Sequence, residues 1–247
     1  EPMLHEQKEV EDDRQRNDNR AIVSAPNFIA IEGPIGVGKT TLAKRLAETF
    51  GKQVLLEPSF ENPFLESFYA NDSKFALPTQ LYFLLNRARQ LAEIPQPGIL
   101  EQQLVSDFLF EKDRLFAELT LNKEELKLYD EITLNLSLNI PKPNLVVYLQ
   151  APTSVLIERI KDRGVLVEKN IKEAYLGGLS ESYSKFFLYY DDAPVLTVNS
   201  TYSDFISNEE HYDSLVEQIL SMRGSHQFFS PNPVSYTHLT LPTMYTV

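Results

Sequence analysis

The chain has 247 residues, of which 43% are hydrophobic and 23% charged, a usual composition for a globular protein of one large α/β domain. The 35 acidic side chains outnumber the 23 Lys and Arg, and the resulting net charge of −12 argues against a general binder of nucleic acid or anionic membrane. The absence of cysteine excludes disulfides and thiolate catalysis, and the four histidines do not have the spacing of metal ligands. No apolar run of membrane-spanning length and no signal peptide is visible, so we expect a cytoplasmic protein.

Both ends of the chain differ in composition from the middle. Residues 1–25 are rich in Glu, Asp, Arg, Gln and Asn, which predicts a charged tail or linker. Residues 224–247 are predicted to form a second tail, and its last string, VSYTHLTLPTMYTV, resembles translated adapter sequence and is interpreted as non-native. The predicted folded domain therefore spans residues 26–223.

Short apolar runs alternate with helical patterns along this domain. The runs show little polar alternation, as expected for strands that are buried on both faces of a parallel sheet. They cover residues 28–31, 54–56, 104–105, 145–149 and 195–198. Apolar residues at helical spacing predict helices that end near Gly51 and that cover residues 79–94, 155–161 and 212–222. The alternation predicts an α/β fold with a five-stranded, doubly wound parallel sheet flanked by helices.

The segment after the first predicted strand, GPIGVGKT at residues 33–40, fits the phosphate-loop pattern G-x-x-x-x-G-K-[ST] and precedes a predicted helix. In such a loop the backbone N–H groups and the helix N-terminus hold phosphates, the lysine reaches the β- and γ-phosphates, and the hydroxyl binds Mg²⁺. A chance glycine-rich turn would not explain the strand, helix, lysine and threonine together. The predicted cofactors are therefore ATP and Mg²⁺. The predicted ATP-binding residues are Gly33, Gly36, Gly38, Lys39, Thr40 and Thr41, and Thr40 is also a predicted metal ligand.

Two acidic residues follow predicted strands. Glu57 follows the second strand and Asp107 the third, at the strand ends where ligands collect in an open α/β sheet. A kinase that acts on a hydroxyl group needs a carboxylate to accept the proton and an acid to help hold Mg²⁺. We assign Glu57 to the first role and Asp107 to the second, with an ordinary polar strand end as the alternative for each. The chain is too short and acidic for a nucleic-acid motor and has no guanine-reading Asn-Lys-x-Asp, which favours a small-molecule kinase.

Further motifs resemble the deoxynucleoside kinase family, and in particular its bacterial deoxyadenosine and deoxyguanosine kinases. They are LEPSFENPFLESFY at residues 56–69, FALPTQ at 75–80 and LYFLLNR at 81–87, and the resemblance runs from about residue 27 to about residue 222. It implies a P-loop kinase fold with an arginine-bearing lid. It also implies a nucleotide-salvage transferase that moves a phosphoryl group from ATP to the 5′-hydroxyl of a 2′-deoxynucleoside, with a purine preferred. A homodimer is implied as well, and the net charge already predicts no nucleic-acid or membrane partner.

The resemblance gives roles to individual residues around the substrate. Glu57 matches the base that takes the proton from the 5′-hydroxyl. Tyr69 matches a tyrosine that binds the 3′-hydroxyl and crowds the 2′ position, and Gln80 matches a glutamine that pairs with the base. Arg87 matches an arginine near the base, and Asp113 matches its aspartate partner. Alone, Tyr69 and Gln80 would be interpreted as a core aromatic and an exposed helix amide.

The segment after the fourth predicted strand carries the lid residues. Arg159 and Arg163 are four residues apart and share a helical face. They match catalytic lid arginines that close over the triphosphate, and Glu168 matches a lid glutamate that reaches the 3′-hydroxyl. A solvated, charged helix face is the alternative interpretation of this segment.

The chain departs from the family pattern at two places. Many relatives have an arginine after the acid of the third strand, but here Phe108 follows Asp107, and Arg114 is the candidate substitute. Val165 stands where many lids have a third arginine. Two alternative functions therefore stay open: a nucleoside-monophosphate kinase of the thymidylate kinase type, and a catalytically idle relative that serves as a structural subunit or nucleotide sensor. The first would need basic residues for the acceptor phosphate, whereas Glu57 suits a neutral hydroxyl.

Overall fold

The computed structural model describes residues 25–70, 73–93, 103–136 and 140–231. The predicted N-terminal tail lies, apart from Ala25, outside the described residues, and so does the string interpreted as non-native.

The described residues contain a sheet of six parallel strands, which confirms the predicted α/β fold with a parallel sheet. The order across the sheet is β2-β3-β1-β4-β5-β6. Because β3 and β4 flank β1 on opposite sides, the chain changes direction at β1, and a ligand crevice is expected at the carboxyl ends of these strands. The strands are β1 (Phe28–Glu32), β2 (Gln53–Leu55), β3 (Leu104–Ser106), β4 (Leu145–Gln150), β5 (Val195–Asn199) and β6 (His226–Phe229).

The prediction of five strands is wrong by one. Strand β6 lies within residues 224–247, which were predicted to form a tail, and it pairs in parallel with β5 from His226 to Phe229. It is an edge strand with alternating exposed and half-buried residues, so it lacks the continuous apolar run that identified the others. The other edge strand, β2, is also not buried on both faces, since Gln53 and Val54 are exposed.

Eight α-helices surround the sheet in the described residues. They are α1 (Lys39–Thr49), α2 (Leu65–Tyr69), α3 (Ala76–Glu93), α4 (Lys112–Thr120), α5 (Lys123–Asn135), α6 (Thr153–Arg163), α7 (Glu173–Tyr189) and α8 (Glu209–Ser221). The predicted helices correspond to α1, α3, α6 and α8, with ends that differ by a few residues. Helices α2, α4, α5 and α7 were not predicted. No described helix is both long and apolar enough to cross a membrane.

The core lies on both faces of the sheet because alternate residues of each strand point to opposite sides. On one face, Ile29 and Ile31 of β1 join a cluster with α1 and α8. On the other face, Ala30 joins a cluster with Leu179 and Tyr183 of α7. A third cluster packs α3, α4 and α5 together. This packing leaves the carboxyl ends of β1, β2 and β3 open to one shared cavity.

Candidate active site

The phosphate loop connects β1 to α1. Gly33 and Gly36 have φ angles of +145° and +83°, and a Cβ atom would lie 2.4 Å from the Leu149 carbonyl at Gly33 and 2.8 Å from the Ile160 side chain at Gly36. Both positions therefore require glycine for conformation and for space. The Lys39 Nζ donates to the carbonyls of Gly33 at 2.7 Å and Pro34 at 3.1 Å. These two hydrogen bonds hold the lysine side chain against the phosphate loop.

Glu32, the last residue of β1, is a fully buried carboxylate that anchors the loop. Its Oε2 accepts hydrogen bonds from the Gly33 N–H and the Tyr183 hydroxyl, each at 2.8 Å, and its Oε1 accepts one from the Leu109 N–H at 2.9 Å. These bonds connect the loop to α7 and to the segment after β3. The sequence analysis missed Glu32, although an acid that ends an otherwise apolar strand was a visible signal.

Asp107 joins three elements at the phosphate end of the cavity. Its Oδ2 accepts a hydrogen bond from the Thr40 hydroxyl at 2.5 Å, and its Oδ1 accepts one from the Glu57 backbone N–H at 2.8 Å. Asp107 follows β3, Thr40 lies on the first turn of α1 and Glu57 follows β2. The strand order β2-β3-β1 is what brings the three residues together. Thr41, also predicted to bind ATP, is exposed on the same turn of α1.

Glu57 is surrounded by cations. It forms ion pairs with Arg87 and with Lys112, whose Nζ lies 3.3 Å from Oε2, and Oε2 also accepts a hydrogen bond from the Ser59 hydroxyl at 3.1 Å. Burial by itself raises the pKa of Glu57, but Arg87, Lys112 and Lys39 outweigh this effect and lower it to about 2. Burial lowers the pKa of Lys39 to about 8. The carboxylate is therefore ionised at any ordinary working pH.

The far end of the cavity holds the predicted base-recognition residues. Arg87 on α3 forms a second ion pair with Asp113 on α4, and both side chains are buried. Gln80, two helical turns before Arg87, is buried as well, and its Nε2 donates to the Thr120 hydroxyl at 3.2 Å. Arg87 thus links the carboxylate Glu57 to the base end of the cavity.

Aromatic rings and the lid form the remaining wall. The Tyr69 ring centroid lies 5.4 Å from that of Phe68 and 6.3 Å from that of Tyr175. In the same wall, Glu168 is buried and forms an ion pair with Arg163, the last residue of α6. Burial raises the pKa of Tyr69 well above its ordinary value, so its hydroxyl stays protonated.

These side chains line one cavity of about 290 Å³. Asp113 does not line this cavity itself, but it pairs with Arg87, which does. Sequence reasoning missed Lys112, Tyr175 and Tyr183, which read as a surface lysine and two core tyrosines. The predicted residues that line the cavity are Gly36, Lys39, Thr40, Glu57, Tyr69, Gln80, Arg87, Asp107, Arg163 and Glu168.

Arg159 and Arg163 lie on the same helix but serve different cavities. Arg159 donates to the Ser200 carbonyl at 2.6 Å and to the Val37 carbonyl at 3.5 Å. It lines a second cavity of about 290 Å³, on the other side of the phosphate loop, together with Phe205. Arg163 lines the first cavity. Their four-residue spacing did not predict this separation.

Arg114 does not replace the missing arginine, so the sequence-based substitution is wrong. Its side chain is half exposed, and its guanidinium contacts Glu118 at 3.3 Å and Asp130 at 2.7 Å on the outer side of α4 and α5. Phe108, which follows Asp107, is buried, with its ring centroid 5.9 Å from the Arg87 guanidinium.

Comparisons with known proteins agree with this geometry. The family model described as "Deoxynucleoside kinase" matches residues 29–222. The chain is 34% identical over 197 residues to the deoxyguanosine kinase of Bacillus subtilis (strain 168), an alignment that covers 78% of this chain and 95% of the relative. It is 27% identical over 209 residues to the deoxyadenosine/deoxycytidine kinase of the same organism, covering 81% and 95%. A solved structure of deoxyadenosine kinase from M. mycoides, with the products dCMP and a flexible dCDP bound, has a TM-score of 0.67 at 26% identity and covers 79% of this chain and 100% of that chain.

Proposed function

Because the chain belongs to the deoxynucleoside kinase family, we propose that its central cavity transfers the γ-phosphoryl group of ATP to the 5′-hydroxyl of a purine 2′-deoxynucleoside. The protein is an ATP-dependent transferase that phosphorylates a nucleoside hydroxyl. The observation that carries the finer proposal is that one cavity joins the phosphate loop, the ionised Glu57 and the Arg87–Asp113 pair.

The phosphate loop lies between the two cavities. This arrangement supports binding of the acceptor nucleoside in the first cavity and of the base of ATP in the second. The loop N–H groups and Lys39 hold the triphosphate. The second cavity, with the planar Arg159 guanidinium and the Phe205 ring, offers flat surfaces for the base of ATP. Arg163, which lines the acceptor cavity, is then the lid arginine that offsets charge on the transferring phosphoryl group.

The residues Thr40 and Asp107 fit Mg²⁺. Their hydroxyl and carboxylate oxygens are 2.5 Å apart beside the loop, and Mg²⁺ prefers oxygen ligands, of which substrate phosphates commonly supply several. In the described part of the chain no group of three or more His, Cys, Asp or Glu side chains could hold a metal ion by itself. When bound, Mg²⁺ neutralises charge on the β- and γ-phosphates.

Glu57 acts as the base in the proposed reaction. The 5′-oxygen bonds to the γ-phosphorus as the bond to the β,γ-bridging oxygen breaks and ADP leaves, and the hydroxyl proton passes to Glu57. In a loose transition state the hydroxyl proton becomes acidic only late in the reaction, so a carboxylate of low pKa suffices. Lys39 offsets the charge on the β- and γ-phosphates.

The sugar and the base are held by the residues that the family resemblance singled out. Tyr69 and Glu168 both line the cavity and bind the 3′-hydroxyl, and the Tyr69 ring fills the space beside the 2′ carbon. Gln80 and Arg87 read the base, while Asp113 holds Arg87 in place. The names of the two curated relatives reported above include deoxyguanosine, deoxyadenosine and deoxycytidine but not thymidine, which supports purines as the preferred bases and deoxycytidine as an intermediate substrate.

The two alternative functions fit the cavity less well. A nucleoside-monophosphate kinase would need cations free to bind the acceptor phosphate, whereas Arg87 and Lys112 are paired with Glu57 here. An idle relative would have no use for Lys39, Thr40 and Asp107 in one cavity with that carboxylate.

The proposal also covers the assembly and location of the protein. We expect a homodimer, which is supported by the exposed apolar side chains Leu85 on α3 and Leu128 and Leu134 on α5. The boundaries of the kinase domain, the cytoplasmic location and the absence of nucleic-acid and membrane partners stay predictions.

The experiment that tests the proposed function is a measurement of kcat/KM for the four deoxynucleosides at fixed ATP, with deoxynucleoside monophosphates as competing acceptors. We expect deoxyguanosine or deoxyadenosine to be the best substrate, deoxycytidine to be intermediate and thymidine to be poor. Thymidine as the best substrate would overturn the assignment of the base site, and deoxycytidine would overturn the purine preference alone. Turnover with monophosphates only would identify a different acceptor.

A further inference from the structure

Lys112 brings a buried ammonium group to the reacting end of the cavity. It lies on the first turn of α4, and its side chain is only 3% exposed. Its Nζ is 3.3 Å from Glu57 Oε2 and 3.3 Å from Glu32 Oε1, and it lines the same cavity as Lys39 and Asp107. A cation therefore stands beside the carboxylate that receives the substrate proton.

Glu32 and Glu57 both have partners other than Lys112. Glu32 already accepts hydrogen bonds from two backbone N–H groups and from the Tyr183 hydroxyl. Glu57 already pairs with Arg87 and accepts a hydrogen bond from Ser59. Because burying a lysine beside such satisfied groups costs free energy, a purely structural role explains its place in the cavity wall poorly.

The other cations in the cavity wall have their own partners. Arg87 pairs with Glu57 and Asp113, Arg163 pairs with Glu168, and Lys39 donates to the phosphate loop. Lys112 thus forms its ion pairs with the proposed proton acceptor Glu57 and with the buried anchor Glu32.

The neighbourhood of Lys112 also explains how the chain functions with Phe108 after Asp107. The Phe108 ring centroid is 5.7 Å from the Lys112 Nζ, and the apolar ring separates the ammonium from water on that side. Arg114 pairs with Glu118 and Asp130 on the outer surface. Besides the paired Arg163 and Glu168, the reacting end without Lys112 would hold Glu32, Glu57 and Asp107 against Lys39 and the shared Arg87, an unfavourable balance for an incoming triphosphate.

We propose that Lys112 is a catalytic cation of the phosphoryl transfer, donating a hydrogen bond to an oxygen of the transferring group while Glu32 holds it in place. The proposal rests on the proposed function. The hydroxyl proton passes to Glu57, the new bond forms between the 5′-oxygen and phosphorus, and ADP leaves with the electrons of the broken bond, so the step takes no proton from Lys112. A fixed cation of this kind stabilises the transition state more than the bound substrates.

The test compares Lys112→Met with Lys112→Arg, using Arg114→Met as the matched control. Removing one preorganised group from a transition state typically costs about 100–1,000-fold in kcat, so we expect Lys112→Met to lose on the order of 100-fold in kcat. The KM values for ATP and deoxynucleoside should change less than about threefold, since the ground state uses the group little. Lys112→Arg should retain more activity than Lys112→Met, and Arg114→Met should behave like the wild type.

Chemical rescue separates a catalytic ammonium from a structural one. Lys112→Ala lacks the atoms of propylammonium, so propylammonium should restore kcat while propanol at the same concentration should not. Equal rescue by both compounds would overturn the proposal, as would a Lys112→Met enzyme with more than half of the wild-type kcat. If Lys112→Met does not fold, the rescue of Lys112→Ala and the activity of Lys112→Arg decide whether the ammonium group is catalytic or structural. A wild-type enzyme that phosphorylates no deoxynucleoside would instead overturn the proposed function itself.

Discussion

The hydroxyl of Thr40 donates a hydrogen bond to Oδ2 of Asp107 at 2.5 Å, although the two residues are 67 positions apart in the chain. Thr40 belongs to the phosphate loop and Asp107 follows β3, which lies beside β1 in the sheet. A hard cation bound to the phosphates of ATP at this loop would meet both oxygens at once.

The first prediction concerns this pair. Asp107→Asn removes the negative charge but keeps an oxygen and the size of the side chain. The Mg²⁺ concentration that gives half-maximal rate should rise by about 10–100-fold, the usual cost of disturbing a metal site. Rates measured against Mg²⁺ at fixed ATP check this. Asp130→Asn, on the outer side of α5, is the control, and an unchanged Mg²⁺ dependence of Asp107→Asn would contradict the assignment.

The second prediction concerns the base. Glu57→Gln should lower kcat on the order of 100-fold or more, because general-base catalysis typically contributes about 10²–10⁴-fold. ATP binding should survive, since the ATP-binding residues of the phosphate loop are untouched. Single-turnover rates and calorimetric ATP binding separate the two effects. A variant with near-normal turnover would show that Glu57 does not take the proton.

The third prediction concerns the pH dependence of the reaction. Arg87, Lys112 and Lys39 lower the pKa of Glu57 to about 2, so the ionised, active form persists until the pH falls toward that value. Glu57 should therefore cause no loss of kcat between pH 8 and pH 5. A profile of kcat at saturating substrates checks this. If kcat falls with an apparent pKa near 6 and this fall is absent in Glu57→Gln, the three cations do not lower the pKa of Glu57 as described.

The fourth prediction concerns the sugar. The Tyr69 ring contacts Phe68 and Tyr175, so Tyr69→Phe keeps the wall and removes only the hydroxyl. The deoxynucleoside should bind more weakly by the worth of one hydrogen bond, about 0.5–1.5 kcal/mol. Discrimination against ribonucleosides should largely persist, and kcat/KM for matched ribo- and deoxynucleosides measures it. Free acceptance of ribose by this variant would mean that the ring does not exclude the 2′-hydroxyl.

The fifth prediction separates the two arginines of α6. Arg159 contacts the Val37 and Ser200 carbonyls beside the second cavity, whereas Arg163 pairs with Glu168 beside the first. Arg159→Met should mainly raise the KM for ATP, and Arg163→Met should mainly lower kcat. Initial rates with each substrate varied in turn give both constants. The same change in both constants for the two variants would mean that they act as one lid.

The sequence by itself determined the class of fold and the donor chemistry of this protein. The loop at residues 33–40 carries glycine where the backbone must have positive φ, and the apolar runs indicate buried strands. The phosphate loop and the parallel sheet can therefore both be predicted from short stretches of sequence. The acids Glu57 and Asp107 were found for the same reason, because they stand where strands end. Roles for Tyr69, Gln80 and Arg87 came from likeness to the deoxynucleoside kinases, and they stay predictions.

Only the tertiary structure decided which side chains meet. Nothing in the sequence marked Lys112 as a site residue, and the fold makes it a buried partner of Glu57, which follows β2, and of Glu32, which ends β1. Arg159 and Arg163 share a helical face, yet the phosphate loop stands between the cavities that they line. Strand β6 was missed because an edge strand needs few apolar residues. Local pattern encodes periodicity and backbone conformation, but the direction that a charged side chain takes depends on neighbours from distant parts of the chain.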